Sequence, residues 1–220
     1  MNAGIVIPAL IFTAVLGGMR IAYGVDIWKE EERPFYQVWN RRTVYLGSCF
    51  WLIMLAGTLI LIPRDQEGIM PQGQSVLAAR FADLLVTYGL LAVIDAGKRI
   101  VPDRVVVCFF LGQMLLGGAC EAPGVLMTRL INGTVFAVLV ILFAGLSKGK
   151  LGMGDAKLLS ATAMTAGVMY TIQLICTGLL LSFLYGLWLL VVKRMSTKSE
   201  FPFVPFLALG IVINTIYAAL

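Results

Sequence analysis

The chain contains no histidine. That absence excludes Ser-His-Asp and Cys-His catalysis, HExxH zinc chemistry and any histidine-liganded redox site, since each needs an imidazole as base or ligand. Charge is scarce too: 13% of 220 residues are charged, against roughly a quarter in an ordinary soluble domain. Cys49, Cys108, Cys120 and Cys176 are scattered and form no CxxC pair. A four-cysteine zinc site therefore has no support, and these residues are expected as small buried apolar side chains. Neither a repeat nor a low-complexity tract nor a soluble domain is visible.

What the chain does have is apolar length. Hydrophobic residues make up 60% of it, with a mean hydropathy of +0.91. One water-soluble core cannot hide that much apolar surface, whereas a bilayer can, provided each span closes its own backbone hydrogen bonds as a helix. The apolar runs are about 17 to 25 residues long, the length that crosses a hydrocarbon core. Spans are expected near 3–23, 43–63, 77–96, 104–120, 126–146, 155–168, 169–192 and 202–219. The sixth is short, and Gly167 marks a turn into the seventh. The fold class is thus all-α, a polytopic membrane protein of about eight transmembrane segments forming one membrane-embedded domain. The first run lacks a basic segment before it and carries Arg20 after it, so it reads as a retained helix rather than a signal peptide.

Charge orients these spans. The odd-numbered loops hold 13 of the 17 basic residues, among them Arg41, Arg42, Lys98, Arg99, Lys148, Lys150, Lys193 and Arg194. By the positive-inside rule those loops are cytoplasmic and both termini lie outside. The formal charge of +5 is explained by this orientation and calls for no nucleic acid. The first cytoplasmic loop, about 24–42, sets Trp28, Phe35, Tyr36 and Trp39 among charges. It is expected as an interfacial segment with aromatic anchors, with substrate docking as the alternative.

Ionisable groups beside apolar spans are costly and mark candidate sites. Asp95 ends the apolar run from Leu90 to Ile94 and precedes Gly97-Lys98-Arg99. Its ordinary reading is a helix-end carboxylate paired with Lys98 or Arg99. Asp155 lies in Gly152-Met153-Gly154-Asp155-Ala156-Lys157, where glycines let the backbone bend and approach closely. Its ordinary reading is a helix N-cap. The derived topology puts both at the cytoplasmic face. Two facing carboxylates share a proton because both cannot ionise cheaply at short range. One can then act as base on a water while the protonated partner polarises a peptide carbonyl. This chemistry needs neither histidine nor metal, and no cofactor is expected.

Gly152-x-Gly154-Asp155-x-Lys157 resembles the GxGD signature of the prepilin peptidase family, the type IV prepilin and preflagellin leader peptidases. Asp95 followed by the ending Val101-Pro102-Asp103 resembles that family's first-aspartate motif. Phe201-Pro202-Phe203-Val204-Pro205-Phe206 is similar to its final helix, rich in Pro-Phe. The resemblance covers about 77–219 and implies that Asp95 and Asp155 are the catalytic pair. It further implies that Gly152 and Gly154 shape the approach of Asp155 and that Lys157 lies near the site. For Asp103, capping a helix or pairing with Arg104 is expected ahead of catalysis. The implied substrate is a prepilin with a short basic leader and an apolar helix, cleaved in the cytoplasmic membrane. Many bacterial members carry a cysteine-rich loop between the first two spans, associated with N-methylation; here that loop has no cysteine. The compact, peptidase-only members match this outline better.

Other patterns are weaker. Gly145-Leu146-Ser147-Lys148-Gly149 spells GxSxG, but it ends a membrane helix, without the strand-turn-helix setting that pattern needs. Asn132-Gly133-Thr134 is a sequon inside a span. Arg80 and Asp83 read as a helix-end pair remote from the cytoplasmic chemistry. A presenilin-type protease also uses GxGD, but Ile94 stands where a tyrosine is expected and no Pro-Ala-Leu follows Asp155. A transporter relaying protons through the two aspartates is the rival outside enzymes.

Overall fold

The computed structural model describes residues 3–28, 48–49, 52–53, 74–147, 151–192 and 202–219. These form seven helices: α1 (Ala3–Trp28), α2 (Gln74–Lys98), α3 (Asp103–Cys120), α4 (Pro123–Leu146), α5 (Met153–Ala166), α6 (Val168–Val192) and α7 (Val204–Ala219). Each matches an expected apolar run to within a few residues, except that α1 continues through Trp28 into what reads as loop. The expected span 43–63 lies mostly outside the described residues; its described positions, 48–49 and 52–53, are helical.

The breaks between helices follow local chemistry. α2 stops at Arg99, whose φ of 54° puts it in the left-handed region, and its N–H closes on the Asp95 carbonyl at 2.9 Å. This is an αL helix ending. Pro102 caps α3 in an extended conformation, and Pro123 opens α4, where a missing N–H costs nothing. Between α5 and α6 stands Gly167 alone, at φ 103° and ψ 153°, a conformation open essentially to glycine. The turn expected there is present.

α5 is the inner helix. Its Ala, Ser and Thr positions are buried from Ala156 to Thr165, with α3, α4 and α6 packed around it. Ser160, Thr162 and Thr165 each donate to the carbonyl four residues back, at 2.7, 2.9 and 2.8 Å. Their hydroxyls are satisfied within the helix, so small polar residues can line an apolar interface. At Gly133, α4 comes close enough that a Cβ would meet the Met164 Cα at 2.4 Å.

α4 and α6 turn their large apolar side chains outward; Leu146 is 79% exposed and Met169 82%. Both helices are long and apolar enough to cross a membrane, and water would not tolerate such faces uncovered. Cys108 is buried as expected, but Cys49 and Cys176 are exposed. Cys176 lies on α6, an outward-facing helix, so its sequence context signalled apolar surroundings rather than a packed core.

A buried polar network ties the helices together deeper along α2. Asp83, fully buried, is ion-paired with Arg20 of α1 and accepts from Gln113 of α3 at 3.1 Å. Arg80 reaches Gln113, Glu121 and the Thr165 carbonyl, and Arg129 of α4 joins the same Glu121. The expected helix-end pair is thus corrected: Arg80 and Asp83 belong to an interhelical network.

Candidate active site

α2 and α5 run antiparallel, because the chain leaves α2 at the end where it later enters α5 and their register is fixed by a side-chain bond. Tyr88 and Thr162 meet hydroxyl to hydroxyl at 2.7 Å. The Thr162 proton is committed to the Leu158 carbonyl, so Tyr88 donates. Two turns from this bond toward the loop end stand Asp95 on α2 and Asp155 on α5, seven positions along in each case and about 10.5 Å of helix rise. A seven-residue step returns to the same face. The carboxylates therefore stand at one level on facing sides, and Asp95 is close enough for its charge to act on Asp155.

α2 and α5 are not among the closely packed helix pairs, and a tyrosine side chain bridges them. Tyr88 is fully buried, packs edge-on against Phe109 at 6.4 Å and 89°, and keeps the helices apart beneath the carboxylates. Sequence reasoning missed it. Its seven-residue spacing from Asp95 was a readable signal, though a buried tyrosine in an apolar helix is unremarkable without its partner.

Each carboxylate has its own surroundings. Asp95 is 6% exposed and accepts a hydrogen bond at Oδ2 from the backbone N–H of Val204, 3.1 Å away at the start of α7. Arg99 adds positive charge nearby. Its carboxylate is thus held by another helix, beyond the local pairing that spacing suggested. Asp155 is half-buried in the first turn of α5, and the N-cap position expected for it is held by Gly152. Gly152 caps α5 at φ −61° and ψ 134°, ordinary extended backbone, so the glycine is there for space. A Cβ on Gly152 would lie 3.1 Å from the Asp155 carboxylate, and one on Gly154 would lie 2.8 Å from Val101 Cβ. Close approach, rather than unusual backbone angles, is what the two glycines supply.

Lys157 and Asp103 meet directly. The ammonium donates to both carboxylate oxygens at 2.8 Å, joining the start of α3 to the first turn of α5. The N-cap of α3 is Pro102, with Asp103 in the first turn, and the partner observed for Asp103 is Lys157. Both side chains are largely exposed, and such a pair contributes little stability, about 0–1 kcal/mol; its effect is to link the two motif segments. Pro102 accepts from Val105 and Val106 at the base of α3. Ser147 accepts from the Leu151 N–H and donates to the Ala144 carbonyl, which makes it a helix-end fastener. Away from the carboxylates, Arg129, Gly167 and Tyr170 line a cleft of about 530 Å³.

Residues 82–191 match the model of the type IV leader peptidase family. The chain belongs to that family. The matched segment contains Asp95, Pro102, Asp103, Gly152, Gly154, Asp155 and Lys157, and ends before α7. The chain is also 24% identical over 140 residues to a prepilin leader peptidase/N-methyltransferase from Bacillus subtilis (strain 168), covering 64% of this chain and 55% of that protein. It spans about half the length of that curated relative. No solved structure matches. Family membership and the outward apolar helices make this an integral membrane protein.

Proposed function

We propose that this chain is a membrane aspartyl endopeptidase that removes the basic leader from type IV or Flp-like prepilins at the cytoplasmic face, without N-methylation. The observation that carries the reading is the common level of Asp95 and Asp155, 60 positions apart in sequence, each seven residues from the Tyr88–Thr162 bond that sets the register of their helices. One carboxylate takes a proton from water as the oxygen attacks the scissile carbonyl. The other, protonated, donates to that carbonyl oxygen, and collapse of the tetrahedral intermediate passes a proton to the leaving amine. Gly152 and Gly154 give Asp155 room, and the Lys157–Asp103 pair braces its turn. The substrate helix enters beside the enzyme from the bilayer. The absence of cysteine between Gly24 and Arg42 supports cleavage without the methyltransferase half, and eight spans with both termini outside complete the proposed topology.

Co-expression with a candidate prepilin tests this. Leader removal is expected to vanish in Asp95→Asn and in Asp155→Asn while each variant still accumulates in the membrane. Normal processing by either one would remove the dyad assignment. Ser147→Ala is expected to cleave at the wild-type rate.

A further inference from the structure

The start of α7 lies outside the segment matched by the family model. α7 opens Val204-Pro205-Phe206-Leu207. A helix leaves its first-turn N–H groups without internal partners, so each must be accounted for. Pro205 has none to give. Phe206 and Leu207 both donate to the Phe203 carbonyl, at 3.1 and 3.3 Å. One donor remains in that turn, the Val204 N–H, and it goes to Asp95 Oδ2. The Phe203 N–H faces the same carboxylate.

The packing leaves this donor little freedom. Val204, Leu207 and Ile211 are fully buried in the same core as Leu91 of α2 and Leu174 of α6. α6 packs closely on α7 at two glycines: a Cβ on Gly178 would meet the Leu207 side chain at 2.7 Å, and one on Gly210 would meet Thr177 Oγ1 at 2.9 Å. A helix N-terminus also favours negative charge through its dipole. Asp155, by contrast, makes no hydrogen bond with α7. The two carboxylates are therefore held unequally.

We propose that the N-terminus of α7 is a positioning element of the dyad, with the Val204 N–H, beside that of Phe203, orienting the Asp95 carboxylate toward the attacking water. This rests on the aspartyl-peptidase reading given above. Val204 touches neither water nor peptide; it acts through Asp95. Donors fixed in advance of the reaction act on the chemical step more than on binding. The Pro-Phe segment thereby has a mechanical reason to begin the last helix.

The test uses the full chain in proteoliposomes with a purified prepilin. Two variants remove the N–H differently: Val204→Pro, which the first helical position tolerates, and an amide-to-ester replacement at Val204, which keeps the valine side chain. Val204→Ala keeps the N–H and controls for lost packing. Both N–H-deficient proteins are expected to lose about tenfold or more in kcat with KM within about twofold of wild type. Val204→Ala is expected to stay within about threefold on both constants. Should Val204→Pro fail to fold, the ester protein decides. A folded N–H-deficient protein with the kcat of Val204→Ala would overturn the proposal, as would an equal loss in Val204→Ala. Asp95→Asn and Asp155→Asn run alongside. If either cleaves, the peptidase reading itself fails. If both are inactive while the N–H-deficient proteins work, only the positioning role is lost.

Discussion

At Tyr88 a single side chain has two separable effects, a hydrogen bond and a spacing. Tyr88→Phe removes the bond to Thr162 but leaves the ring against Phe109, and Thr162 keeps its own bond to Leu158. The expected loss is about 1 kcal/mol, with leader removal largely retained. Tyr88→Ala removes the spacer as well, with an expected loss of about 3–5 kcal/mol and a collapse of processing as α2 and α5 shift. Thermal unfolding in detergent and the cleavage rate separate these effects; equal damage from both variants would mean that the hydroxyl itself is required. Deeper along α2, Arg20 and Asp83 are ion-paired with both side chains fully buried. Asp83→Leu strands a buried guanidinium and is expected to cost about 3–5 kcal/mol. Adding Arg20→Met should recover much of that loss in a double-mutant cycle, read as yield of monodisperse protein and thermal midpoint. Additive losses would show that the two residues act separately.

Among the elements, α4 carries its own control for how closely helices approach. Gly133 faces Met164 backbone, which cannot yield, whereas Gly145 on the same helix has no atom within 4 Å of a built Cβ. Gly133→Ala must therefore push α4 off α5 and is expected to destabilise by about 1–3 kcal/mol. Gly145→Ala, with better helix propensity and nothing to strike, is expected to be neutral or to stabilise by up to about 1 kcal/mol. Thermal midpoints of the two proteins would check this, and a neutral Gly133→Ala would mean that the approach is looser than drawn. The helices themselves were legible from their apolar runs, and the break at Gly167 from its residue type. Their contacts were not. Gly133 sits in a sequon and looks like any membrane-helix glycine until Met164 is seen opposite. Asp83 looks paired with Arg80 one turn away because spacing reveals only partners on the same helix, while Arg20 comes from 63 positions earlier in the sequence.

For the molecule as a whole, the shared level of Asp95 and Asp155 was readable because charge asymmetry among loops reports sidedness. The motifs singled them out as the proposed pair, but the bond from Val204 and the Lys157–Asp103 link depend on how separate helices dock, which local pattern does not encode. Orientation is the part of the proposal that this geometry can still be made to test. α2 ends and α5 begins at one end of the bundle, with Lys98, Arg99, Arg104 and Lys157; α3 hands over to α4 at the other. If the basic end is cytoplasmic, Ile100, exposed in the link from α2 to α3, faces the cytoplasm, and Gly124, exposed at the start of α4, faces outside. In a protein with its native cysteines replaced by alanine, Gly124→Cys should react with a membrane-impermeant maleimide in intact cells. Ile100→Cys should react only once the cells are opened. Retained leader removal in each labelling variant would show that the native arrangement is being probed. The opposite labelling pattern would place Asp95 and Asp155 on the outer face, and a leader cut in the cytoplasm would then be out of their reach.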